Sequence, residues 1–240
     1  MGSSAAESTS VINQRNQDQV FYFDPVGTTG NFVAPPRNNA HFAALITRSI
    51  NDNVGITQVN QDVGHMVNQA NNVSASVNLQ AFFAESHNIV EQQNRNNSVT
   101  QTGSLPGEHG VPAGPLNENS FALRRADIAG SVNENAGVTQ VNQNAGVANN
   151  QVNSVSLALS LGPAGNGGTT AVALSESDLG QWNIGGRTTE NNTIKVDRII
   201  GSINGNGGIT SVNQSVGNMN NQASVISFAG ASSLAAFSKP

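Results

Sequence analysis

The amino-acid sequence predicts an all-β fold of stacked cross-β, β-solenoid-like layers, formed by three imperfect repeats and polymerising into a fibril. Three observations lead there. Residues Ser49–Ser74, Ser131–Ser156 and Ser202–Ser227 align without a gap, and 12 of their 26 columns hold one residue type in all three copies. Such an internal repeat decides architecture before any other feature. Seven of those columns are consecutive odd positions, namely Ser49, Asn51, Asn53, Gly55, Thr57, Val59 and Gln61 in the first copy. Side chains of an extended strand alternate between its two faces, so seven alternate invariant residues make one complete strand face. The third observation is composition: 240 residues include 35 Asn, 16 Gln and 25 Gly, with 10% charged and 5% aromatic. Amides stand where charge would be, which suits stacked β-structure better than an ordinary globular domain or classical disorder.

Residues 1–40 read as a partly ordered N-terminal arm, with an apolar patch at Val20–Phe23 and a Pro/Gly-bearing loop from Pro25 to Pro36. Residues 41–74 hold the first repeat. Its approach, Ala44–Arg48, carries Ile46 in the column of Ile128 and Ile199, so the strand begins before the invariant block. The invariant set continues through Asn60, Gly64, Asn68, Gln69 and Ser74. The even face varies conservatively: Ile50, Val132 and Ile203 stay apolar, while Asp52, Glu134 and Gly205 mark a wet edge. A turn at Gly64, Gly146 and Gly217 leads to a second strand, half-buried by pattern, with alternate apolar residues Val73, Ala75, Val77 and Leu79 and their counterparts Val155, Leu157, Leu159 and Leu161.

The segments 75–130 and 157–201 separate the copies and are long for structureless loops. They are either functional or disordered loops, or degenerate repeats that add strands to the stack. Shared pairs favour the second: Glu85-Ser86 with Glu176-Ser177, and Asn96-Asn97 with Asn191-Asn192. The second repeat, 131–156, repeats the invariant face as Ser131, Asn133, Asn135, Gly137, Thr139, Val141 and Gln143, with Asn142, Asn150 and Gln151. The third, 202–227, has Ser202, Asn204, Asn206, Gly208, Thr210, Val212 and Gln214, with Asn213, Asn221 and Gln222. The tail 228–240 either caps the last layer or is donated to the next subunit.

A mostly polar face stays identical when its partner is itself. If the copies stack in register about 4.8 Å apart, Asn and Gln amides hydrogen-bond along the stack as ladders, and only like on like works well. The residues named above are therefore the expected self-assembly ladder. Three layers leave two open faces whose edge strands template another chain. Neither terminal copy is atypical enough to be a polar cap. Head-to-tail stacking is a heterologous contact that does not close, so the partner is a further copy of the chain in a homopolymer.

Chemistry of other kinds is not written here. No Gly-x-Ser-x-Gly elbow, phosphate loop or His-Glu-x-x-His occurs. The histidines His41, His65, His87 and His109 share no repeat column, and the Gly165–Gly168 run reads as a turn. The sequence reads as no enzyme, with no cofactor and no metal. A net charge of -5 with no basic stripe argues against nucleic acid. No apolar run reaches the roughly 20 residues of a membrane span. Cysteine is absent, which removes disulfides and thiolate sites. The first ten residues lack the pattern of a secretory signal, so the chain either stays inside the cell or is a mature sequence with a restored start codon.

Gly55–Asn60 (Gly-Ile-Thr-Gln-Val-Asn) followed by Gly64–Asn71 (Gly-His-Met-Val-Asn-Gln-Ala-Asn), with counterparts at Gly137–Asn153 and Gly208–Ser224, resembles the repeats of Fap-type functional amyloid subunits of pseudomonads. The resemblance covers the three copies. It implies a secreted, extracellular biofilm-matrix fibre subunit, exported through a dedicated outer-membrane pore and assembled on a nucleator subunit. The main Fap fibre subunit carries a Cys-x-x-Cys near its C-terminus that this chain lacks, which points to a relative or a minor subunit. The curli repeat has a similar amide logic with different spacing. The alternative to a fibre subunit is a soluble β-solenoid that serves as an adhesin or surface-binding module.

Overall fold

The computed structural model describes residues 5–23, 41–79, 83–102, 122–162 and 171–233. The Pro25–Pro36 stretch, His109, the Gly165–Gly168 turn and residues 234–240 lie outside the described residues. Every described element is a strand, and the strands fall into three layers of five. The first layer is β1 (Ala5–Gln17), β2 (Val20–Phe23), β3 (His41–Thr47), β4 (Val54–Asp62) and β5 (Asn68–Asn78). The second is β6 (Phe83–Arg95), β7 (Ser98–Thr102), β8 (Ala122–Ala129), β9 (Ala136–Asn144) and β10 (Asn150–Gly162). The third is β11 (Val172–Ile184), β12 (Arg187–Asn191), β13 (Thr193–Ile200), β14 (Gly207–Ser215) and β15 (Asn221–Ser233). Five parallel, three-stranded sheets result, each with one strand per layer and the second layer in the middle: β1-β6-β11, β2-β7-β12, β3-β8-β13, β4-β9-β14 and β5-β10-β15.

Within a layer the chain folds back on itself. The β4 sheet faces the β3 sheet, where Gln61 Nε2 donates to Leu45 O at 3.0 Å. It faces the β5 sheet on its other side, where Asn71 Nδ2 donates to Val59 O at 2.9 Å. β5 then closes on β1, with Ser76 Oγ donating to Ala6 O at 2.6 Å. In the middle layer the central sheet is buried on both faces from Val138 to Asn144. Ile46, Ile128, Val132 and Val141 form an apolar cluster between the β3 and β4 sheets.

The segment read as an N-terminal arm supplies β1 and β2 of the first layer, and the segments between the repeats supply β6–β8 and β11–β13. Their register differs from the one the shared pairs suggested. Ser86 stands opposite Ser175, so Glu85 meets Leu174 and Glu176 meets His87. Ser98 stands opposite Arg187, which removes the expected match of the two Asn-Asn steps. Glu85 and Glu176 lie on the outward side of this sheet, where Glu85 stands opposite Glu7 in the first layer but Leu174 in the third, so the pairs carried no register between the two linkers.

Two further expectations are corrected. The invariant odd face is not one strand: Ser49–Asn53 is a bend between β3 and β4, with φ of 48° at Arg48, 59° at Ile50 and 58° at Asp52. The other copies bend alike, with 59° at Val132 and 62° at Ile203. A β-branched residue is an outlier in left-handed backbone; here Ile50, Val132 and Ile203 are held by packing against the Ile46/Ile128/Val141 cluster. The second strand is half-buried, and Val155 on the expected apolar side is buried, but the side packed against the β1 sheet is largely polar. Asn72, Ser74 and Ser76 are buried against β1, whereas Val77 is 58% and Phe228 62% exposed. Small hydroxyls let the sheets approach and donate to the facing carbonyls, which larger apolar side chains do not.

Candidate self-assembly site

Most of the expected ladder residues stand opposite their own kind. Thr57, Thr139 and Thr210 align, as do Val59, Val141 and Val212, and Asn60, Asn142 and Asn213. The amide columns are hydrogen-bonded along the stack. Asn142 Nδ2 donates to Asn60 Oδ1 at 3.0 Å and Asn213 Nδ2 to Asn142 Oδ1 at 3.1 Å. Gln143 Nε2 donates to Gln61 Oε1 and Gln214 Nε2 to Gln143 Oε1, both at 2.8 Å. In the next sheet Asn68 Nδ2 donates to Asn150 Oδ1 and Asn150 Nδ2 to Asn221 Oδ1, both at 2.9 Å. Gln69 bonds Gln151 and Gln151 bonds Gln222, both at 2.7 Å.

A second bond completes each amide. Gln143 Nε2 also donates to Asp127 O at 3.0 Å, Gln214 Nε2 to Arg198 O at 3.1 Å and Gln151 Nε2 to Gln143 O at 3.0 Å. One N–H thus runs along the stack and the other reaches the facing sheet. Gln143 and Gln151 are fully buried, and a buried polar group must be bonded in this way to be tolerated.

The bend residues work differently, because their side-chain oxygens serve backbone N–H groups of the neighbouring layer. Asn51 Oδ1 accepts from Asn133 N and Asn133 Oδ1 from Asn204 N, both at 2.9 Å. Asn135 Oδ1 accepts from Asn53 N at 3.0 Å, and Asn206 Oδ1 from Asn135 N at 2.9 Å. Ser131 Oγ accepts from Ser49 N, and Ser202 Oγ from Ser131 N, both at 3.1 Å. Where the chain curves out of a regular ladder, these oxygens take over the carbonyl's part. Gly55, Gly137 and Gly208 have φ of 105°, 116° and 101° and stack closely, since a Cβ on Gly137 would lie 2.2 Å from Gly55 O.

Further columns come from the segments outside the repeats. Gln92 Nε2 donates to Gln14 Oε1 at 2.7 Å and Gln181 Nε2 to Gln92 Oε1 at 2.8 Å. Asn16, Asn94 and Asn183 bond Asn68, Asn150 and Asn221 across the facing sheets at 2.8, 2.9 and 2.8 Å. A serine zigzag joins Ser8, Ser74, Ser86 and Ser156 through hydroxyl bonds of 2.7 to 2.9 Å. A sequence signal for these existed: Ser8, Ser86 and Ser175 each precede a Gln-x-Asn by six residues, at Gln14-Arg15-Asn16, Gln92-Gln93-Asn94 and Gln181-Trp182-Asn183.

Among the described residues, buried charge is gathered at one corner. Arg124, fully buried, donates to Gln101 Oε1 and Asn218 Oδ1 and stands 2.8 Å from Glu190 Oε1, with its guanidinium 5.7 Å from the Phe42 ring centre. Lys195 Nζ is 2.6 Å from the other Glu190 oxygen. Burial alone would raise the Glu190 pKa, but hydrogen bonds from Lys195 and Asn218 and the charge of Arg124 hold it below its ordinary value. Asp197 is pushed up, by burial first and by Asp127 second. Asp52 and Glu134 are exposed, at successive layers. No helix among the described residues is long and apolar enough to cross a membrane.

A model of the family described as functional amyloid protein FapB/FapC matches residues 27–231 of the chain. Comparison with curated proteins and with solved structures gives no match.

Proposed function

The chain belongs to the functional amyloid protein FapB/FapC family, and on that premise we propose that it is the structural subunit of an extracellular amyloid-like fibre that grows by in-register stacking of its layers. The observation that carries this reading is the set of like-on-like columns with zero register shift, Asn60, Asn142 and Asn213 foremost. The same geometry that joins layers inside one chain is available between chains, because β1–β5 and β11–β15 are edge strands of every sheet. A further copy of the chain supplies what those edges lack.

Biofilm-matrix placement, adhesion, export through an outer-membrane pore and growth from a nucleator subunit belong to the same proposal and rest on the family likeness. The proposal gives the chain no catalysis, cofactor or metal. Fibre diffraction of incubated protein tests it. A meridional reflection near about 4.8 Å is expected; a monodisperse monomer without that reflection contradicts the fibre and leaves a soluble solenoid.

A further inference from the structure

We propose that the two open ends of the molecule are complementary to each other and not to themselves, so that the third layer of one copy seats on the first layer of the next. This rests on the fibre reading above and adds which face meets which.

The amide columns are polarised. Their nitrogen and oxygen positions are fixed by the facing sheet, because Asp127 O beside Gln143 and Gln143 O beside Gln151 can only accept. In the columns of Gln14, Asn60 and Gln61 the donors point from the third layer toward the first. In those of Asn53, Asn68 and Gln69 they point from the first toward the third. Each column therefore ends in a donor on one face and an acceptor on the other. Gln61 Nε2 and Gln214 Oε1 terminate one column, and Gln69 Oε1 and Gln222 Nε2 another. A translated copy matches all of these at once. Two like faces can meet only through a twofold rotation, which turns their strands antiparallel and carries each column off its own kind, so the parallel in-register columns end there.

A glycine column points the same way. A Cβ on Gly64 would lie 1.7 Å from Gly146 O, and one on Gly146 would lie 1.8 Å from Gly217 O, so the layer above requires glycine in both. Neither these two nor Gly217 has a positive φ. The three atoms nearest to a Cβ on Gly217 all belong to the side-chain amide of Asn220, the closest at 2.3 Å, and none is backbone. No backbone oxygen of the molecule lies as close to Gly217 as Gly146 O does to Gly64, whereas Gly64 O of a copy seated on the third layer would.

The outer face of the β1 sheet offers a reporter. Arg15, Gln93 and Trp182 share a column, and the Trp182 ring lies over Gly180, where a Cβ would come within 2.3 Å of it. The arrangement sets Arg15 of the next copy one strand spacing, about 4.8 Å, from Trp182, inside the roughly 6 Å reach of a cation–π contact.

The chain has no cysteine of its own, so paired cysteines read the contact directly. Fibres of the double variant R15C/W182C, grown reduced and then oxidised, are expected to give a ladder of covalent multimers. Fibres of R15C or W182C alone are expected to give none, since equal positions recur only every three layers, about 14 Å, beyond the 4.4–6.8 Å Cα separation of a disulfide. Cross-linking of W182C to itself, or an oxidised double variant that stays monomeric within its fibres, overturns the face pairing. Wild-type protein that gives no cross-β reflection overturns the fibre reading instead. Independently, G217A added at one part in ten to wild type is expected to slow elongation at least threefold by adding through its first layer and blocking its third. Unchanged elongation overturns the proposal.

Discussion

A primary amide brings two N–H donors and one carbonyl into the interior, and Gln143 places them all: it donates to Gln61 Oε1 and Asp127 O and accepts from Gln214 Nε2. This explains why the columns tolerate no exchange. Glutamate would lose both donors, and a residue of another length would miss one bond, leaving buried polar atoms unpaired at about 1–3 kcal/mol each. Asn142 is in the same position, donating to Asn60 Oδ1 and Ala70 O and accepting from Asn213 Nδ2. N142D is therefore expected to slow fibril growth at least about tenfold, the effect of roughly 1.4 kcal/mol, and charged substitutions at Asn60 and Asn213 are expected to act alike. D52N changes an exposed side chain and is expected to leave the rate within about twofold. Seeded-growth kinetics of the variants decide this; equal rates for N142D and D52N would remove the amide ladder from the account.

At the scale of the element, strand identity followed the invariant columns and bend identity did not. The period of two was legible from Ser49 to Gln61, but Ile50, Val132 and Ile203 concealed the curve because β-branched residues argue for extended backbone. β1 was hidden for another reason: its matches are few and mostly inward, Ala6, Ser8, Gln14 and Asn16 against Ala84, Ser86, Gln92 and Asn94 and, in the third layer, Ala173, Ser175, Gln181 and Asn183, while most outward residues differ. The charged corner ties β8, β12 and β13. Since Glu190 is held below its ordinary 4.5, its contribution is present at neutral pH and lost as the pH falls below that value. E190Q is expected to lower the denaturation midpoint at pH 7 and to flatten its fall between about pH 5 and 3. Asp197, shifted upward, acts with the opposite sign: its penalty is relieved on acidification, so D197N should raise stability at pH 7. Urea titrations across that range check both signs.

For the whole molecule, the three repeats implied three layers or more, left the number open, and told little of their content. The sequence marked two strands per layer, the invariant block and the alternation after it, whereas the chain places five strands in each. Register between layers was legible wherever amides face inward, as at Asn60, Asn142 and Asn213, and illegible where the pairing residues face solvent, as at Glu85 and Leu174. The interior explains the composition: Gln92, Gln101, Gln140, Gln143 and Gln151 stand among the largest fully buried side chains beside Ile128 and several valines, so amides share this core with small apolar clusters. The central claim is that one 24.8 kDa chain forms three successive layers of a fibre by the contacts that join its own layers. The axial rise per subunit, measured by helical reconstruction of electron cryomicrographs, tests it most directly. A rise of about 14 Å with three distinguishable layers is expected; a rise of about 4.8 Å, one chain per layer, would contradict it.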